Sequence, residues 1–147
     1  MTAGTLNPRL RDIAEEFLAL EGRERLLLLE YAGEPPPLPA RYAEHRDLLE
    51  QVPKCQTPLF LAVEVDDSGT VHLFFDAPPE APTTRGYAGI LHAGLDGLSA
   101  GEILATPAEF SSQLGLQDLV SPLRLRGLAA MLARIKNQIR DHARRPD

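Results

Sequence analysis

Apolar residues recur at spacings of three and four near the start of the chain: Leu10, Ile13, Phe17 and Leu20. That spacing marks one face of an α-helix. Asn7-Pro8 ahead of it supplies an N-cap and a first-turn proline whose missing N–H costs nothing. Glu21-Gly22 breaks this helix. A second is expected over about 23–32, carrying Leu26 to Leu29 and stopping at Gly33. The run "EPPPLP" at 34–39 is incompatible with helix and reads as a stiff extended connector. Residues 40–50 are expected to hold one or two helical turns before the loop that contains Cys55.

The period then changes from helical to alternating. Leu59, Leu61, Val63 and Val65 alternate with Phe60, Ala62, Glu64 and Asp66, which is strand periodicity. "DDSG" at 66–69 is a turn, and Val71, Leu73 and Phe75 alternate again. Residues 59–65 and 70–76 therefore form a hairpin. After "APPEAP" a helix is expected from about 82 to 95, with Tyr87, Leu91 and Leu95 on one stripe. Gly86, Ala88 and Gly89 on it are small enough for close packing. Ser99–Glu102 and Thr106–Glu109 are spaced as capping boxes, the second opening a helix that ends at Gly115. A last helix starts at Ser121-Pro122 with Leu125, Leu128, Leu132, Ile135 and Ile139 on its apolar face. The tail "ARRPD" is expected to fray. No repeat or second domain is evident. The order predicts one domain over 1–147, with a core at 8–140. Its fold class is α+β, a small antiparallel sheet built on the hairpin and packed against several helices.

Composition narrows the function. The chain has 147 residues, 44% apolar and 24% charged, with net charge −6. An acidic balance argues against nucleic acid as the main partner. Apolar runs fall far short of the about 18 residues of a membrane span, and no secretory leader is apparent. The expected location is the cytoplasm. A single cysteine, Cys55, excludes an internal disulfide and a cysteine-based zinc cage.

Cys55 is the main chemical candidate. It follows a proline and a lysine, and a cation near a thiol favours the reactive thiolate. Lys54 is adjacent in sequence, and Gln56 and Thr57 add polarity. The plainer reading is a small half-buried residue without a task. Arg124 is the second oddity. With Ser121 as N-cap it occupies the third helical position, where a carboxylate is favoured and a cation is disfavoured by a few tenths of a kcal/mol, order of magnitude. It suits either binding an anion or thiolate, or a solvent-facing pair with Asp118. The histidines, His45, His72, His92 and His142, have no ligand spacing on one element. His142 falls in the tail, and no acyl-enzyme signature joins His45 to Cys55. "LDGLSAG" lacks the context and the lysine of a phosphate loop.

In order and spacing, "LLEYAGEPPPLP", "VPKCQTPLFLAVEVDDSGTVHLFFDA", "TRGYAGIL", "SAGEILATPAEFSSQLGL" and "LVSPLRLRGLAAMLARI" resemble the SufE-like family of sulfur acceptors over roughly 8–140. The resemblance implies that Cys55 accepts sulfur as a persulfide from a cysteine desulfurase, stimulates that partner, and passes the sulfur to an iron–sulfur cluster assembly scaffold. The chain then needs no cofactor of its own; pyridoxal phosphate belongs to the desulfurase. Arg124 matches the arginine of the family's Ser-Pro-x-Arg motif and faces either the partner or the thiol. Lys54, Gln56, Glu80 and Arg85 are expected to support the thiol or the partner surface. The protein is expected to be a monomer or weak dimer, with Cys55 partly shielded until docking exposes it. Two other readings follow from different premises: a non-covalent activator in which Cys55 is dispensable, and a stand-alone cysteine hydrolase or thiol transferase. Lys54 and Thr57 stand where the family usually has Gly and Ser. Glu80 stands near its usual Asp, in a segment with extra prolines. Leu123 and Arg126 replace the Ser and Asn of its "SPSR" and following Asn-Gly.

Overall fold

The computed structural model describes residues 6–32, 35–52 and 58–144, with the side chains of 31, 32, 143 and 144 left aside. The helix expected from Asn7 is α1, Pro8–Leu18. The Asn7 side chain accepts a hydrogen bond from the Leu10 N–H at 3.1 Å. Gly22 turns the chain at φ 53° into α2, Arg23–Ala32. Arg25 then donates to the carbonyls of Phe17 and Leu20 at 3.0 and 2.9 Å. The guanidinium thus adds a second donor to the Phe17 carbonyl, which also accepts from the Leu20 N–H at 3.1 Å, and pairs the Leu20 carbonyl just beyond the helix end.

The segment after the prolines contains α3, Ala40–Ala43, and a 3-10 turn at Arg46–Leu48. A short strand that the pattern did not predict follows: β1, Glu50–Gln51. It pairs antiparallel with β2, Phe60–Val65, which pairs in turn with β3, Val71–Asp76. The sheet order is β1-β2-β3. The hairpin register sets Val63 opposite Leu73 and Phe60 opposite Asp76. Leu61, Val63, Val71, Leu73 and Phe75 accordingly face the main core, and Ala62 and Phe74 face a smaller outer cluster. Asp66 organises the turn: its carboxylate accepts from the Ser68 and Thr70 N–H groups at 3.0 Å each. The Ser68 hydroxyl first, then the His72 ring and those backbone bonds, hold its pKa well below the carboxylate range.

α4, Pro82–Leu95, crosses the inner face and buries Tyr87, Leu91 and Leu95. Gly86 lets it approach α2 closely: a Cβ there would lie 2.0 Å from the Leu29 carbonyl oxygen. The Ser99 capping box is present and opens α5, Ala100–Leu104. The second expected box is not. The Thr106 hydroxyl donates back to the Glu102 carbonyl at 3.4 Å, and the helix expected up to Gly115 is a 3-10 turn, Phe110–Leu114. Thr106 is buried and committed to the preceding helix, so it is not free to cap the next. α6, Pro122–Arg144, closes the core with Leu128, Met131, Leu132, Ile135 and Ile139. It continues as helix through His142, a position expected from the sequence to fray. Residues 145–147 of that tail lie outside the described residues.

Both edges of the sheet are closed by side chains. β1 is too short to cover β2 beyond Leu61. The Val63 N–H instead donates to Gln138 Oε1 at 2.9 Å, and the Val63 carbonyl meets His142 Nε2 at 2.8 Å. On the far edge the Leu73 N–H donates to Asp96 at 2.7 Å.

Candidate functional site

Val52 and Leu59 frame the stretch that carries the cysteine. The Val52 N–H donates to the Leu59 carbonyl at 2.8 Å, and both side chains are buried in the main core. Residues 53–57, among them Lys54, Cys55 and Gln56, lie outside the described residues. Their point of departure and return is nevertheless fixed, at the end of the sheet where β1 stops and β2 begins.

Three other parts of the chain meet at this end. Asp76, opposite Phe60, closes β3, and Ala77 to Ala81 lead into the first turn of α4. Arg85 in that turn donates to the Ala77 carbonyl at 2.8 Å, and Glu80 is exposed. Thr83 donates to Glu30 of α2 at 3.4 Å. A cleft of about 600 Å³ opens here, lined by Pro36, Pro37, Arg46, Asp76, Ala77 and Arg85. Arg46 and Asp76 form an ion pair across it.

The start of α6 reaches the same end. Glu50, opposite Leu61, meets Arg134 and Gln138, whereas Val63 meets Gln138 and His142. Two residues along β2 advance roughly 6.6 Å, and four residues along α6 advance roughly 6 Å. Strand and helix therefore run side by side in the same direction. Followed backwards, α6 passes the level of Leu59 near residue 132 and continues roughly 12 Å further to Arg124. Its first turns overhang the end of the sheet from which residues 53–57 depart.

Ser121 caps α6, its hydroxyl accepting from the Arg124 N–H at 3.1 Å. Arg124 is thus a cation at a helix N-terminus. Among the described residues it has no ion pair, and none joins it to Asp118. Leu123 beside it is 44% exposed. The cation therefore stands at the start of α6 without a carboxylate beside it among the described residues. No three His, Asp or Glu side chains among the described residues converge as metal ligands. No helix among them is long and apolar enough to cross a membrane.

Comparison with known proteins settles the family. Residues 11–139 match the family model SufE, described as an Fe-S metabolism associated domain. The chain belongs to the SufE family. An uncharacterized SufE-like protein of Mycobacterium tuberculosis is 52% identical, over 96% of this chain and 99% of its own length. The sulfur acceptor protein CsdE of Escherichia coli is 30% identical over 64% of this chain and 63% of its own length. Among solved structures, the solution structure of a hypothetical protein from Thermus thermophilus matches with a TM-score of 0.75. It is 36% identical and covers 94% of this chain and 98% of that one.

Within this SufE-family fold, Glu80, Arg85 and Arg124 lie on elements that reach one end of the molecule, the end that residues 53–57 join. Sequence reading passed over Arg46, Asp76, Glu50 and Arg134, which brace that end. Only Asp76 left a signal, as a carboxylate closing an alternating strand. The others are ordinary charges until the fold brings them together.

Proposed function

We propose that this chain accepts sulfur from a cysteine desulfurase as a persulfide on Cys55 and delivers it to an iron–sulfur cluster assembly scaffold in the cytoplasm. The observation that carries this reading is the position of the single cysteine. In sequence it falls between Val52 and Leu59, two core residues joined by a hydrogen bond, in a SufE-family chain. A relative named as a sulfur acceptor supports it.

The chemistry is thiol exchange. The Cys55 thiolate attacks the terminal sulfur of the desulfurase persulfide. A new S–S bond forms on Cys55, the partner's S–S bond breaks, and the partner cysteine leaves as thiolate. The sulfur moves without an external oxidant or reductant. Pyridoxal phosphate is needed only on the desulfurase, where sulfur leaves cysteine. Direct transfer between docked proteins protects a group that is otherwise lost or over-oxidised. On this reading Arg124 and the exposed Leu123 beside it form part of the surface that meets the desulfurase, and Glu80 and Arg85, ahead of and in the first turn of α4, support it.

Intact-mass spectrometry after incubation with an active desulfurase and cysteine, without added reductant, tests the reading. The expected result is a gain of one sulfur atom that reductant removes and Cys55→Ala abolishes. No adduct, with desulfurase turnover still stimulated by the Cys55→Ala protein, would replace the carrier with a non-covalent activator.

A further inference from the structure

The outer edge of β3 is paired along part of its length. Its odd-numbered residues turn their N–H and carbonyl groups away from β2. Val71 donates to Leu98 and accepts from Gly97, at 2.8 Å each, and the Leu73 N–H donates to Asp96. The next odd residue is Phe75. Its N–H and carbonyl have no hydrogen-bond partner among the described residues, although Phe75 is only 3% exposed. A buried backbone group costs free energy unless something bonds to it.

Proline walls the space beside Phe75. Pro36 and Pro37 line the cleft of about 600 Å³ and a second one of about 140 Å³, and Phe75 lines both as well. The two prolines are exposed, in a stretch over 35–39 that is neither helix nor strand. Proline has no N–H, so neither ring residue can donate to the Phe75 carbonyl. The larger cleft also takes in Ala43 of α3 and the Arg46 guanidinium. Arg46 is paired with Asp76 and keeps 59% of its side chain in solvent.

Two kinds of group are thus offered to one ligand. An edge residue with an open N–H and carbonyl suits the backbone of an extended segment, as strands add to a sheet. Proline rings in an extended stretch and a guanidinium both suit the face of an aromatic ring. An aliphatic side chain would bury area on the same walls but make no use of the cation. Stacking uses the face of the guanidinium and the ion pair its edge, so Arg46 keeps Asp76. We propose that this cleft is a docking site for an extended segment of a partner protein that carries an aromatic side chain. The ring packs on the proline wall and Arg46, and the segment's backbone pairs with Phe75. The site uses none of residues 53–57 and does not rest on the sulfur-acceptor reading.

N-acetyltryptophanamide is the probe that tests it, because it joins an indole to a peptide N–H and carbonyl. The chain has no tryptophan, so indole emission during a titration of the full chain belongs to the probe alone. The expected result is a saturable blue shift with a Kd on the order of 1 mM, and a shift of the Phe75 amide resonance in the NMR spectrum. N-acetylalaninamide, which lacks the ring, is expected to bind about tenfold more weakly, read at the same resonance. Ala43→Leu fills the cleft from an exposed position and should weaken the probe about tenfold, with thermal unfolding confirming that the variant folds. Arg46→Lys keeps the charge beside Asp76 and removes the plane, and should weaken it about threefold. No saturable shift up to the solubility of the probe would overturn the site. So would binding that Ala43→Leu leaves unaltered, or that moves amides of α1 and α6 but not Phe75. Equal binding of N-acetylalaninamide would overturn the aromatic ligand class.

Discussion

Replacing Gly86 with alanine probes the packing that sets the first turn of α4 at the functional end. An added Cβ would lie 2.0 Å from the Leu29 carbonyl oxygen and 2.9 Å from its carbonyl carbon, where ordinary contact begins at 3.4 Å. The obstacle is backbone, so no rotamer change removes it, and α2 and α4 must part by roughly 1 Å or more. Alanine offsets part of the cost, because it is the better helix former by about 1 kcal/mol. Overpacking costs about 1–3 kcal/mol. Parting the helices also loosens the contacts of Leu29, now fully buried, at about 25 cal/mol for each Å² exposed. The expected net is a loss of about 1–3 kcal/mol, or a Tm lower by roughly 3–10 °C for a chain of this size. Gly101 is the matched control. It lies in α5, where a Cβ meets nothing within 4 Å. Gly101→Ala is therefore expected to stabilise by about 0.5–1 kcal/mol. Paired urea and thermal unfolding reads both variants. A Gly86→Ala protein as stable as the wild type would refute the close approach of the two helices.

Arg124→Glu places a carboxylate at the third position of α6. It is expected to raise stability by about 0.3–1 kcal/mol while lowering stimulation of the desulfurase. Unfolding and turnover assays on one preparation read the two opposed effects, and unchanged stimulation would remove Arg124 from the partner surface. Ser121→Ala removes the cap of the same helix and should cost about 1 kcal/mol, read by urea unfolding. Glu64 is held below the ordinary glutamate range, chiefly by its hydrogen bonds from Arg41. Its contribution is therefore present above the unfolded value of about 4.3 and is lost as pH falls through the folded one. Tyr42 is pushed up from 10.0 to about 12 by burial and by Glu64. Its contribution is present below the unfolded value and is lost as pH rises from there through about 12. Tyr42 ring NMR shifts should report loss of the Arg41–Tyr42–Glu64 hydrogen bonds at both extremes, and a Tyr42 ring indifferent to acid would count against the Glu64 contact.

The parts legible in the sequence are those whose causes are local. Asn7, Ser99 and Ser121 cap the helices they precede, and the alternation at 60–65 and 71–76 fixes a hairpin. Gly86 is small where α4 needs it to be. β1 was not legible. Glu50-Gln51 has no alternation to display, and Glu50 is held by Arg134 and Gln138 from more than eighty positions away. His142 escaped for the same reason, because a carbonyl on β2 fixes it, not its neighbours. The Thr106 spacing misled because a hydroxyl that caps one helix can equally bond back to the helix before it. Cys55 stands out in the sequence as the single thiol, while the ion pairs Arg46–Asp76 and Glu50–Arg134 exist only in three dimensions.

The middle strand of the sheet is finished on one side by two side chains and not by a neighbouring strand. A backbone ladder is indifferent to sequence, but this seal is written in two codons. Gln138→Leu leaves the Val63 N–H bare, and losing His142 as well frees the carbonyl beside it. Such a strand is a template for any extended chain that meets it. The resulting protein would differ from the wild type most visibly in its solution behaviour, self-associating more as its concentration rises. The C-terminal helix therefore guards solubility as well as the core.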